Sequence, residues 1–163
     1  MAVIFNPDIG LTVPSYTAAI EGAAPALFVQ AVTMPVRDAV DIVRAIDAFA
    51  GVPDGGLIVL PPPPPPAILD AILRLALQHR LPAIYNARFM ATAGGLLAYA
   101  ADNVDRSRQA ASYIDRLLRG AKVSELPVQF PTSYKLIVNL KAARAIGLDI
   151  PATLTARADE LLQ

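Results

Sequence analysis

Residues 56–60 read Gly-Leu-Ile-Val-Leu and run directly into six consecutive prolines, Pro61 to Pro66. An unbroken apolar run of this length suits a strand covered on both faces of a parallel sheet. Proline has no N–H to give to a ladder, so the strand must stop where the run begins. The prolines are expected to form a stiff polyproline II arm, with the last of them entering the next helix at its first turn. One segment therefore dictates buried strand, rigid arm, helix.

The same alternation recurs along the chain, which argues for βαβ units around a mostly parallel sheet. Further strands are expected at 2–6, 28–33, 82–85, 96–100 and 135–139. Helices are expected at 16–26 with Ser15 as its cap, 37–50, 67–79, 87–91, 103–119, near 140–146, and at 152–162. In the second of these, Val40, Ile42, Val43, Ile46 and Phe49 recur near helical spacing. The 103–119 segment is the best marked. Asp102 or Asn103 can cap it, Asp105 lies in its first turn, Arg116 and Arg119 in its last, and Gly120 ends it. Val104, Ser107, Ala111, Ile114 and Leu118, widened by Leu117, define one face expected to be buried. The fold class is α/β: a three-layer, doubly wound, mostly parallel sheet.

Composition excludes several function classes. Fourteen basic residues balance 14 acidic ones, so no electrostatic footprint for nucleic acid is present. The chain has no Cys, which removes thiol catalysis, thiolate metal ligation and disulfides. His79 is the only histidine; near a helix end it reads as a surface residue, and a metal site lacks a second ligand of its kind. The serines form no G-x-S-x-G elbow, and Gly55-Gly56 and Gly94-Gly95 form no G-x-G-x-x-G loop. Asp38, Asp41, Asp47 and Asp70 read as solvated acids on helix faces. No catalytic residue, metal or cofactor is expected. Hydrophobic residues make up 55% of the chain, so some apolar surface is expected at an interface.

In open α/β sheets, ligands bind beyond the carboxyl ends of the strands. Those ends carry Asn6, Met34, Pro61 and Pro62, Tyr85 and Asn86, and Tyr99 with Asp102. Tyrosine offers a ring to stack on, and asparagine an amide that both donates and accepts. The competing reading makes Asn6 a turn residue and Asp102 a helix cap.

Val3-Ile4-Phe5-Asn6-Pro7, Gly56-Leu57-Ile58-Val59-Leu60-Pro61, Leu81-Pro82-Ala83-Ile84-Tyr85, Gly94-Gly95-Leu96-Leu97-Ala98-Tyr99, Arg116 to Lys122 and, most specifically, Ile137-Val138-Asn139-Leu140-Lys141 are similar to one family. The chain resembles the second half of substrate-binding proteins of ABC importers, with a type I periplasmic binding protein fold. The resemblance is to the branch that includes aromatic amino-acid binders. It implies a single domain, 1–163. Residues 1–101 would form the lobe core, 102–120 a helix that in relatives packs on the first lobe, and 121–163 the return strand and C-terminal helices.

The same resemblance implies a non-enzymatic solute-binding domain whose ligand, an amino-acid-like metabolite, is trapped between two lobes by hinge closure. Positions carried over as ligand-binding are Asn6, Ser15, Tyr16, Pro61, Pro62, Tyr85, Asn86, Tyr99 and Asp102. The sequence departs from the family at the proline run and at Tyr99-Ala100-Ala101-Asp102, where relatives have Tyr-Gly-x-Asp. An ABC permease is the implied partner of a full receptor, and an extracytoplasmic location is implied. As written, the chain opens on Val3-Ile4-Phe5 without a basic segment before it, which by itself reads as cytoplasmic. With no first lobe in the sequence, the 103–119 helix is expected to pair two copies in a homodimer. The alternative function is a truncated or repurposed lobe that self-associates and takes no small molecule.

Overall fold

A computed structural model describes residues 1–8 and 12–163. It builds one seven-stranded sheet in the order β2-β1-β3-β4-β5-β6-β7. The strands are β1 (Ala2–Phe5), β2 (Val32–Pro35), β3 (Leu57–Val59), β4 (Ala83–Tyr85), β5 (Leu97–Ala101), β6 (Tyr134–Asn139) and β7 (Glu160–Leu162). All neighbours pair parallel except β5 and β6. The helices are α1 (Val13–Ala23), α2 (Ala39–Phe49), α3 (Pro66–Gln78), α4 (Arg88–Thr92), α5 (Asn103–Leu118), α6 (Leu140–Ile146) and α7 (Ala152–Arg157).

Strand order and the right-handed crossover rule together fix the layers. From β1 the chain steps one way to β2, then reverses to β3 and continues to β4 and β5. This sends α1 to one face and α2 and α3 to the other. Ala2, Ile4, Leu57, Val59, Ala83, Tyr85, Ala98 and Ile137 are buried with Ile42, Ile46 and Phe49 of α2 and with Leu69, Ile72 and Leu75 of α3. That layer is the main core. On the opposite face Val3 and Val138 are fully buried.

Several elements differ from their sequence expectation. The first helix starts a turn early, because Pro14 at its first turn supplies a helical φ and needs no N–H partner. Ser15 therefore lies inside α1 and does not cap it. Residues 28–31 are not strand: Phe28 sits in the left-handed region, 98% exposed, closing a turn begun at Pro25. Asp38 is exposed as expected and also caps α2, accepting from the Val40 and Asp41 amides. Asp47 lies 2.8 Å from His79 Nε2. The C-terminal segment is not one helix, since α7 ends at Arg157 and β7 follows. The proline run enters α3 at Pro66 as expected, with Pro65 in polyproline II geometry, but the Pro61–Pro62 bond is cis.

The expected buried face of α5 is not buried. No residue of this helix is, and Leu118 is 83% exposed. Residues 121–133 run back beside it. There Tyr113 donates to the Pro127 carbonyl, and Gln109 bridges Asp105 and Thr132.

Candidate functional site: a cleft at the carboxyl ends of three strands

The sheet reverses winding between β1 and β3, which is where an open α/β sheet ordinarily opens a ligand crevice. Here prolines occupy that place. Pro62, Pro64 and Pro65 pack beside Asn6, Val36 and Leu60, and only about 20 Å³ of free space remains. This has room for about one water. Asn6 turns away to local work, its Oδ1 accepting the Asp8 amide at 2.8 Å.

The open space lies further along the sheet, past the ends of β3, β4 and β5. A cleft of about 640 Å³ is bounded by Pro61 and Pro63, Asn86 to Phe89, Ala100 to Val104, Arg106, and, from the C-terminal strands, Lys135, Ile137, Asp159 and Glu160. That volume falls within the range of small-molecule sites. Three of the residues expected from sequence meet there: Pro61, Asn86 and Asp102. Asp102 also caps α5, accepting from the Val104 and Asp105 amides. Asn6 and Pro62 border the small void next door. Ser15 and Tyr16 lie on α1 and line neither space.

The two other tyrosines part company because neighbouring strand residues point to opposite faces. Tyr85 faces the α3 layer, is 2% exposed, and belongs to the core rather than the cleft. Burial pushes its phenol well above the usual tyrosine range. Tyr99 points to the other face and stacks on Tyr134, ring centres 5.4 Å apart and planes 15° from parallel.

Both signs of charge line the cleft. Arg88 forms a two-pronged ion pair with Glu160, Nε donating to Oε2 at 2.7 Å. Lys135 Nζ donates to Asp159 at 3.0 Å, and Asp159 also accepts the Leu136 amide at 2.9 Å. Hydrogen bonds from Arg88 hold the Glu160 carboxyl below its usual range. The Leu136 amide and Lys135 do the same for Asp159. Reciprocally, Glu160 raises Arg88 and Asp159 raises Lys135. Arg106 has no carboxylate partner among the described residues; its one side-chain bond is to Asn103 Oδ1 at 3.4 Å.

Asn86 stands apart. Its Oδ1 and Nδ2 are both buried, and neither has a hydrogen-bond partner among the described residues. Its place after a strand makes Asn86 legible in the sequence, whereas Arg88, Lys135, Asp159 and Glu160 are not. The first looks like an ordinary helix start, and the others reach the cleft only because β6 and β7 add to the sheet beyond β5.

Asn139 shows why its segment carries so specific a signature. Its amide nitrogen donates to the Ala91 carbonyl and its oxygen accepts the Ala142 amide, both at 2.9 Å. One buried side chain thus caps α6 and ties it to α4, at the end of β5 opposite the cleft.

Solved structures share the fold. A conserved domain protein from Vibrio cholerae superposes with a TM-score of 0.84 at 22% identity, over 98% of this chain and 53% of its own. An ABC domain from Streptococcus pneumonia in complex with L-Trp gives 0.84 at 17%, over 99% and 54%. The ligand-free, open structure of a substrate binding protein with adhesive properties from Clostridium difficile gives 0.71 at 17%, over 99% and 54%. These likenesses concern the fold, and the chain spans about half the length of each protein. No curated protein matches the chain. A family model, described as ABC transporter substrate binding protein, matches residues 2–162, from the first strand of the sheet to the last. The chain belongs to the ABC transporter substrate binding protein family.

Proposed function

We propose that this chain is a solute-binding lobe of an ABC-type importer and holds a small polar or aromatic metabolite, such as an amino acid, in the cleft past β3, β4 and β5. The observation that carries this reading is Asn86. A buried amide with no partner costs about 1–3 kcal/mol. A turn about its side-chain torsions brings the amide into the cleft, where a ligand with both a donor and an acceptor satisfies it. The mixed charges of Arg106, Asp102 and the two ion pairs suit a zwitterion better than a simple anion or cation. The neighbour with bound L-Trp is consistent with such a ligand. Binding needs no covalent chemistry. In a full receptor the other half of the protein closes over the cleft outside the cytoplasm and the closed form meets a permease.

The test is the thermal midpoint of the chain with each amino acid in turn. A ligand at a hundred times its Kd adds about 2.7 kcal/mol. Asn86→Ala is expected to weaken that ligand about tenfold or more while leaving the unliganded midpoint unchanged or raised. A ligand bound equally well by the variant contradicts the assignment.

The exposed face of α5 favours a second reading, that this lobe self-associates. Val104, Ile114, Leu117 and Leu118 are each more than a third exposed, and a homodimer through α5 covers them. Light scattering after size exclusion at micromolar concentration is expected to show a dimer. A monomer there removes this reading.

A further inference from the structure

A second cavity lies apart from the cleft and shares no wall residue with it. It has about 310 Å³ and sits between α3, the Gly94-Gly95 turn after α4, and α6. Leu73 and Leu77 of α3 and Ala142 and Ala145 of α6 contribute facing walls. Leu77 and Ala145 are exposed, so the cavity opens to the surface between the two helices. Its size is at the lower end of the range for small-molecule sites.

Two features mark it as more than a packing fault. The first is Tyr85, which forms part of the wall while only 2% exposed, and whose hydroxyl has no hydrogen-bond partner among the described residues. Among the other polar side chains of the wall, Thr92 Oγ1 donates to the Phe89 carbonyl and Asn139 is bonded at both ends of its amide, while Lys141 is exposed to solvent. The second is Gly95. A Cβ there would stand 2.6 Å from Tyr85 Cε2 and 2.8 Å from the Met90 carbonyl oxygen, so the turn is pared to backbone where the ring passes.

We propose that this cavity is a second binding site, for a small, largely apolar molecule carrying one hydrogen-bond acceptor to which the Tyr85 hydroxyl donates. The apolar walls hold the body of the molecule. The hydroxyl is buried, so the occupant reaches it by an outward shift of the side chains around it. Tyr85 stays a neutral donor throughout the physiological range, because burial disfavours the phenolate.

Acetophenone and ethylbenzene test this directly, since they are close in size and shape and differ in the carbonyl acceptor. Each is titrated into the isotopically labelled 163-residue chain while backbone amides are followed by NMR. Saturable shifts at Gly94, Gly95, Ala142 and Ala145 are expected for both, with acetophenone the tighter. Tyr85→Phe removes only the partnerless hydroxyl and is expected to weaken acetophenone about three- to tenfold while leaving ethylbenzene unchanged. Ala145→Phe, at an exposed position on the rim, is expected to abolish both responses. The proposal fails if neither compound moves these amides, if the shifts appear at Asn86 and Asp102 instead, or if Tyr85→Phe affects both compounds alike.

Discussion

Among the described glycines, Gly95 is the one where an added methyl group would meet the closest atoms. A Cβ there would come within 3 Å of both Tyr85 Cε2 and the Met90 carbonyl oxygen, so Gly95→Ala forces either the ring or the turn to move. Overpacking of this kind costs about 1–3 kcal/mol, and urea denaturation is expected to show a loss in that range. Tyr85→Phe acts in the other direction. It deletes a buried hydroxyl that has no partner, so stability is expected to hold or rise by up to about 1 kcal/mol. The same residue sets an alkaline limit. Its folded pKa lies above the unfolded value of about 10. Below that pH the phenol is neutral in both states and ionisation costs folding nothing; as pH rises beyond it toward the folded value, the unfolded chain ionises first and stability falls. Denaturation followed as pH is raised from about 9 to about 11, across the ordinary tyrosine range, is expected to show a steeper fall for the native chain than for Tyr85→Phe. Equal slopes would place the alkaline loss elsewhere. Nothing in the local sequence distinguishes the role of Tyr85 from that of Tyr99. They differ in which face of the sheet they occupy, and only strand register decides that.

At the level of elements, legibility followed the number of residues that agree with one another. α5 and α6 were readable because caps, terminal charges and a glycine stop coincide, as at Asp102, Arg116 and Gly120, or at Asn139 and Gly147. Edge strands were not. β2 has one neighbour only and is largely exposed, so no periodic apolar pattern marks it. The apolar residues just before it misled because Phe28 serves a turn. β7 is three residues long, and Glu160-Leu161-Leu162 has good helix formers. It becomes a strand because β6 offers an edge and because Asp159 and Glu160 find Lys135, Leu136 and Arg88 there. Both carboxyls titrate below their unfolded values. Their contribution is thus complete above the ordinary carboxylate range, near pH ~4, and is lost as pH falls through the folded values. Hydrogen exchange at Leu162 is expected to speed up relative to the β1 amides as pH is lowered through that window, after correction for intrinsic rates. A constant ratio would mean that backbone pairing alone holds β7. For α5, Ile114→Asp is expected to convert a dimer to a monomer without loss of helix content, since the side chain touches no core.

For the whole molecule, the α/β class and the mostly parallel sheet were legible because the central strands are short apolar runs between amphipathic segments. The position of the open space was not. Sequence pattern pointed to all the strand ends equally, whereas the structure fills the switch point with prolines and leaves a cleft toward β4 and β5. The cleft's far wall comes from β6 and β7, and the Arg88–Glu160 pair joins residues 72 positions apart. Spacing in the sequence carries no trace of that meeting. Its consequence is a cleft lined by Asn86, Asp102 and Arg106, with two ion pairs beside them. The most direct test is an NMR titration of the labelled chain with the proteinogenic amino acids, one at a time. At least one is expected to give saturable shifts at the Asn86, Asp102 and Lys135 amides together. If none moves these three amides at millimolar concentration, the cleft is not a binding site for amino acids in this chain.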